Sequence, residues 1–133
     1  KFINYIMKAG KKNIARMIFR ETMTIISKNE KHPEKVFEKA IDTVKPTLEV
    51  RPKRIGGAVY QIPVEVKPNR QLMLAFRWLL EAARTRKGAP MAKKLADELL
   101  TAANGEGMAI KKKEDTLRMA QANKAFAHYA RYH

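Results

Sequence analysis

Apolar residues recur along this chain at two different spacings, and the switch between them divides it into segments. Phe2, Ile3, Ile6 and Met7 mark one face of a short helix that Gly10 is suited to end, because glycine takes the left-handed position beyond a helix without a Cβ penalty. A second helix is predicted from about Asn13 to Ser27, with Ile14, Met17, Ile18, Ile25 and Ile26 inward and Lys12, Arg16 and Arg20 stacked outward. Pro33 opens a third, carrying Val36, Phe37, Ala40, Ile41 and Val44 until Pro46 stops it.

The period then changes from helical to alternating. Leu48 and Val50, then Tyr60, Ile62, Val64 and Val66, alternate on either side of Gly56-Gly57, which is a hairpin signal. If the apolar residues of both strands share one face, Val50 lies opposite Val64 and the turn has odd length or contains a bulge. In that register Pro52 and Pro63 fall on positions of opposite hydrogen-bonding type, so a break in the ladder is expected near one of them. With Lys53, Arg54 and Lys67 decorating it, the ribbon reads as an exposed basic arm, mobile in the free protein.

Helical spacing returns after Pro68. Asn69 is placed to cap a long helix reaching about Lys87, whose Leu72, Met73, Leu74, Phe76, Trp78, Leu79, Leu80 and Ala83 leave little polar face, so it is expected to be central and Trp78 to pack inside the bundle. Arg70, Arg77 and Arg84 recur every seven residues and form one stripe that drifts by only about 20° per heptad. A fifth helix runs from Pro90 to about Ala103 with Met91, Leu95, Ala96 and Leu99 inward, its Asp97-Glu98 read as a solvated face. After the Gly105 and Gly107 loop, a last helix beginning near Lys111 runs to about Tyr129, with Glu114-Asp115 in its first turn. Met119, Ala122, Phe126 and Tyr129 are taken as its core face, and Lys113, Lys124 and Arg131, with small Ala120 and Ala127, as the opposite side. The fold class is mainly α: a bundle of about six helices with a two-stranded antiparallel β-ribbon inserted between the third and fourth.

Composition narrows the function. The 133 residues are 45% hydrophobic, enough for a real core and for one domain over 1–133, with helices in 1–46 and 69–131 and the ribbon in 47–67. Zero Cys excludes a disulfide framework and thiolate chemistry, and no apolar run is long enough to span a membrane. Lys1 to Ala9 reads as the middle of a helix, so a preceding segment is expected.

Charge changes the picture most. Lys plus Arg number 28 against 13 Asp plus Glu, a net charge of +15. Residues 1–20 hold six bases and no acid, 69–94 seven against one, and 111–133 six against two, whereas 95–110 hold three acids and no base. A basic surface assembled from separated segments is the electrostatic footprint of nucleic-acid binding. Enzymatic constellations are missing: the histidines are His32, His128 and His133, no HExxH spacing exists, and Gly10-Lys11-Lys12 lacks the upstream glycine and the Ser/Thr of a P-loop. Neither catalytic residues nor a metal or cofactor site are expected.

Several stretches then become familiar together. KFINYIMKAGKK at the start, the ribbon EVRPKRIGGAVYQIPVEVKP, LAFRWLLEAAR, MAKKLADELLTAA and KKKEDTLRMAQANKAFAHY resemble, in order and over nearly the whole chain, the small-subunit ribosomal protein seven family of bacterial or organellar type. The resemblance implies a helical bundle with an inserted ribbon and direct binding to small-subunit rRNA in its 3′ major domain. It also implies organisation of the head, a ribbon near the exit-site tRNA and the mRNA, neighbouring ribosomal proteins as partners, and a cytoplasmic location in the ribosome. Two departures stand out: the family's basic arm before the first helix is missing, and Arg70-Gln71 stands where many members have two arginines. The ending Ala130-Arg131-Tyr132-His133 also differs.

Lys8, Lys11, Lys12, Arg16, Arg70, Arg77, Arg84, Arg86, Lys111, Lys112, Lys113 and Lys124 are the candidate rRNA contacts, as phosphate-neutralising cations. Arg51, Lys53, Arg54, Gly56, Gly57 and Tyr60 are the ribbon residues expected near tRNA and mRNA. The alternative is an architectural DNA-binding protein that uses the ribbon as a minor-groove arm.

Overall fold

The computed structural model describes residues 2–7 and 11–127; Lys8, Gly10, His128, Tyr129 and Arg131 lie outside them. Among the described residues are six helices, α1 (Phe2–Ile6), α2 (Lys12–Ser27), α3 (Pro33–Val44), α4 (Pro68–Thr85), α5 (Met91–Ala103) and α6 (Met108–Ala122), with strands β1 (Leu48–Ile55) and β2 (Ala58–Glu65) between α3 and α4. The mainly helical plan with an inserted ribbon is therefore as the spacing predicts.

The core forms around α5, which packs against α2, α3, α4 and α6. Its buried face alternates leucine with alanine (Leu95, Ala96, Leu99, Ala102), and the small residues let neighbouring helices approach closely. Two hydroxyls exploit that approach. Thr22 Oγ1, fully buried in α2, lies 3.3 Å from the Ala92 carbonyl, and Thr43 Oγ1 of α3 lies 2.8 Å from the Ala102 carbonyl. α4, expected to be the central helix, shares that place with α5: eight of its residues are buried, Trp78 among them. At the other end Phe2 anchors α1, with its ring centroid 5.8 Å from Phe19, 5.1 Å from Phe37 and 5.1 Å from Phe76, all edge-on. A five-residue helix is too short to stand alone, so this contact with α2, α3 and α4 holds it in place.

Some predicted faces are rotated. Ile14 and Met17 are 50% and 57% exposed, because the inward stripe of α2 passes through Ala15, Ile18, Thr22 and Ile26 instead. Asn69 does not cap α4; Pro68 supplies the first turn and Lys67 precedes it without a side-chain cap. α6 begins a turn earlier than expected, which puts Glu114-Asp115 beyond its first turn, and its inward residues are Ala109, Ile110 and Ala120. Met119 is 52% exposed and Ala122 is exposed. Close approach of α6 to the body favours the small Ala120 over the larger side chains taken for its core face. Phe126 sits in the turn after the helix, its ring 5.1 Å from that of Tyr60 on the ribbon.

The ribbon register also differs from expectation. Val50 pairs with Pro63, Arg51 with Ile62 and Lys53 with Tyr60, closed by a two-residue turn in which Gly56 and Gly57 have φ of +56° and +88°. The Val66 N–H donates to the Thr47 carbonyl, which marks that pair as hydrogen-bonded. Alternation along the ladder then puts both Pro52 and Pro63 at non-hydrogen-bonded pairs, so no break is needed. Glu49, Arg51 and Lys53 share a face with Val64, Ile62 and Tyr60. That face turns toward α6, with Ile62 fully buried, so the ribbon is docked along its base and projects only its tip.

Gly107, just before α6, has φ +98° and ψ 177°, a conformation that is essentially glycine's own. A Cβ there would lie 3.0 Å from Thr101 Cγ2 and 3.1 Å from Glu98 Oε1. Gly107→Ala should therefore lower the unfolding free energy by about 1–3 kcal/mol from strain alone, and more from the contact. Gly105→Ala, whose Cβ meets open space, should cost less; urea denaturation of both variants checks the difference.

Candidate nucleic-acid interface

Two carboxylates organise the basic residues, and each is buried. Glu49 on β1 is 7% exposed. Arg70, at the start of α4, donates from Nε and Nη2 to its two oxygens at 2.6 and 3.0 Å, and Arg51 Nε adds a bond at 3.2 Å. Burial alone would push the Glu49 carboxyl up, but the hydrogen bonds and charges of Arg70 and Arg51 outweigh it and hold the group below the ordinary carboxylate range. Arg70 is in turn held charged more firmly by its bond to Glu49. Two guanidiniums around one carboxylate leave a net positive charge and unused outward donors at the foot of the ribbon. Beside them Gln71 Nε2 donates to the Pro46 carbonyl at 2.9 Å, which ties α4 to the segment that follows α3.

Glu98 on α5 is the second organising carboxylate. It is 1% exposed, which corrects its reading as part of a solvated face. Arg86 reaches it at 3.0 and 3.1 Å, and the Ala109 amide donates to its other oxygen at 3.4 Å. A carboxylate is tolerated on this apolar helix because a cation from the end of α4 and an N–H from α6 meet it there. Asp97 pairs instead with Lys93 at 3.0 Å.

The expected rRNA contacts therefore separate by environment. Arg70 and Arg86 are engaged internally, and so is Lys113, whose Nζ donates to the Thr43 carbonyl at 2.7 Å, facing the body rather than the opposite side. Lys112 lies 3.9 Å from Glu81, and Arg77 Nη2 is 3.9 Å from Met73 Sδ. The heptad stripe is thus divided: Arg70 turns in toward Glu49 while Arg77 and Arg84 stay exposed. Lys11, Lys12, Arg16, Lys111 and Lys124 are exposed and have no ion-pair partner among the described residues. The first turn of α2 carries no acid, so its helix dipole adds to the positive field of Lys11, Lys12 and Arg16.

On the ribbon, Arg54, Gly56 and Gly57 are exposed at the tip, while Lys53 and Tyr60 lie half-buried on the inner face. Lys94, absent from the candidate residues, shares a cleft with Lys11 and Arg84. Spacing in the sequence gives no signal for it, because Lys93 and Lys94 each have an acid four residues on; the structure pairs Lys93 with Asp97 but gives Glu98 to Arg86. Among the described residues no cluster of His, Asp or Glu could hold a metal, and no helix is long and apolar enough to cross a membrane.

Comparison with known proteins adds the family. A family model described as ribosomal protein S7p/S5e matches residues 1–124. The small ribosomal subunit protein uS7 of Thermotoga maritima is 56% identical over 130 residues, covering 97% of this chain and 84% of that protein. The uS7 of Solidesulfovibrio magneticus is 55% identical over 130 residues, covering 97% and 83%. That of Chloroflexus aurantiacus is 52% identical over 132 residues, covering 98% and 84%.

The Glu49 geometry carries a pH dependence. Glu49→Gln keeps the shape but loses the charge, and should cost about 2 kcal/mol at neutral pH, the scale of hydrogen bonds to a charged group. Because the folded carboxyl titrates below its unfolded value of about 4.3, that advantage of the wild type is complete above the unfolded value. It should fade as the pH falls through the folded one. Denaturation of both proteins from pH 7 to pH 3 checks the convergence.

Proposed function

Since the chain belongs to the ribosomal protein S7p/S5e family, whose members are structural constituents of the small ribosomal subunit, we propose that it binds small-subunit rRNA directly through its unneutralised cations and so organises the head of the subunit. One observation carries this reading. The two most buried carboxylates are already committed to arginines, while Lys12 and Arg16 on α2, Arg77 and Arg84 on α4 and Lys111 on α6 face outward with no ion-pair partner among the described residues. Such a surface lowers its own repulsion by releasing the counterions of a phosphate backbone. Folded RNA is read by its backbone and shape, with base contacts at loops and bulges, and cations distributed over several elements suit that mode better than one groove-binding face.

In this reading the 3′ major domain is the binding site. The exposed ribbon tip with Arg54, Gly56 and Gly57, and Arg51 at its foot, reaches toward the exit-site tRNA and the mRNA. The docking of Ile62 and Tyr60 against the body weighs against the DNA-bending alternative, which needs a free arm to enter a minor groove. Exposed apolar residues such as Met108 and Met119 offer contact to neighbouring ribosomal proteins.

If six to ten phosphates are contacted, affinity for a transcript of the 3′ major domain should fall by about 10³ to 10⁵-fold between 50 and 200 mM salt. Filter binding over that range checks it, and a flat dependence or equal competition by duplex DNA would overturn the reading.

A further inference from the structure

Between α2 and the facing ends of α4 and α5 lies the cleft of about 360 Å³ that Lys11, Arg84 and Lys94 share. Its floor is apolar, formed by Ile14, Ile18 and Met91, and its rim holds Lys11, Arg84 and Lys94. These cations come from three different elements, Lys11 at the start of α2, Arg84 in the last turn of α4 and Lys94 in the first turn of α5, and no acid lines the cleft with them. None has an ion-pair partner among the described residues, in contrast to Arg70 and Arg86. Arg84 is held by one edge only, Nη2 lying 3.5 Å from the Tyr5 carbonyl, which leaves its plane and its other donors available. Ile14 keeps half its surface in water.

An apolar floor inside a ring of unpaired cations matches a ligand that is flat and apolar at one end and anionic at the other. A single unstacked nucleotide has that form: the base has two apolar faces and its flanking phosphates are charged. RNA recognition commonly uses nucleotides splayed out of loops and bulges, with bases stacked on side-chain faces including guanidinium planes. The volume lies in the range of small-ligand pockets. We infer that this cleft accepts one extruded nucleotide of the small-subunit rRNA, its base on Ile14, Ile18 and Met91 beside the Arg84 guanidinium and its phosphates on Lys11, Arg84 and Lys94. The inference rests on the rRNA-binding reading and adds to it a base contact and a residue, Lys94, on a helix that carries as many acids as bases.

Two variants separate base from phosphate. Lys94→Glu should weaken binding to the 3′ major domain transcript about tenfold at 100 mM salt and lower the magnitude of the salt slope by about 1. Ile14→Ser alters a side chain already half in water, so the fold is retained. It should leave the slope unchanged while restoring chemical reactivity to the Watson–Crick edge of one unpaired nucleotide that the wild type protects. Protection unchanged by Ile14→Ser would overturn the inference, as would a Lys94→Glu variant that binds like the wild type. An Ile14→Ser defect confined to capture of another ribosomal protein in reconstituted subunits would also overturn it, assigning the cleft to a protein partner. Failure of the wild-type chain to bind the transcript with a steep salt dependence would refute the rRNA reading itself, a result distinct from any of these.

Discussion

Self-repulsion is the constraint under which this fold is built: 28 basic side chains must be brought together with only 13 acidic ones to offset them. The chain does not spread its carboxylates evenly over the surface to meet that need. Glu49 and Glu98 are buried, where the lower dielectric strengthens each attraction, and each is placed where two pieces of structure must be joined. Glu49 fastens the ribbon to α4, and Glu98 fastens the end of α4 and the start of α6 to α5. The cations used in these joints sit at seams, and the cations left over lie on outer faces. The basic residues that hold the fold together and those left open at its surface are thereby different residues of the same type.

Most of the architecture was legible in the sequence because it rests on short-range rules. Pro33 and Pro68 at first turns, the long apolar series from Leu72 to Ala83, and Gly56-Gly57 between alternating runs depend only on residues within a few positions of one another. The errors arose where the deciding partner is distant. The register of the ribbon was misjudged because the apolar residues of both strands were expected to share one face. Glu49 instead lies on the face of Ile62, where Arg70 arrives from a helix further along the chain to neutralise it. With the register corrected, the two prolines cease to conflict. The inner face of α6 was misjudged for a related reason: side-chain size suggested Met119, while close packing selected Ala120.

The candidate interface was legible as a class and not as an arrangement. Net charge and its segment-by-segment distribution point to polyanion binding as a class, and the family match carries the reading to the small ribosomal subunit. Neither indicates which cations are already occupied. Arg70, Arg84 and Arg77 are equivalent by heptad spacing, yet one is locked to a carboxylate and the others lie open. Lys94 was overlooked although it falls in the basic stretch 69–94, because nothing local shows that the acid four residues on, Glu98, is taken by Arg86. Charge counts describe segments, whereas binding is decided by the few groups that tertiary structure leaves unpaired.

The placement of the two ribbon prolines has a further consequence. At a non-hydrogen-bonded pair the backbone N–H and C=O point away from the partner strand, so the donor that each proline lacks would have lain on an outer edge. Pro52 removes one from the open edge of β1, and Pro63 removes one from the open edge of β2. A two-stranded ribbon is otherwise a template on both sides, ready to recruit another extended chain and grow. Here each side carries a gap in its row of donors, which discourages strand addition while the chain is outside its subunit.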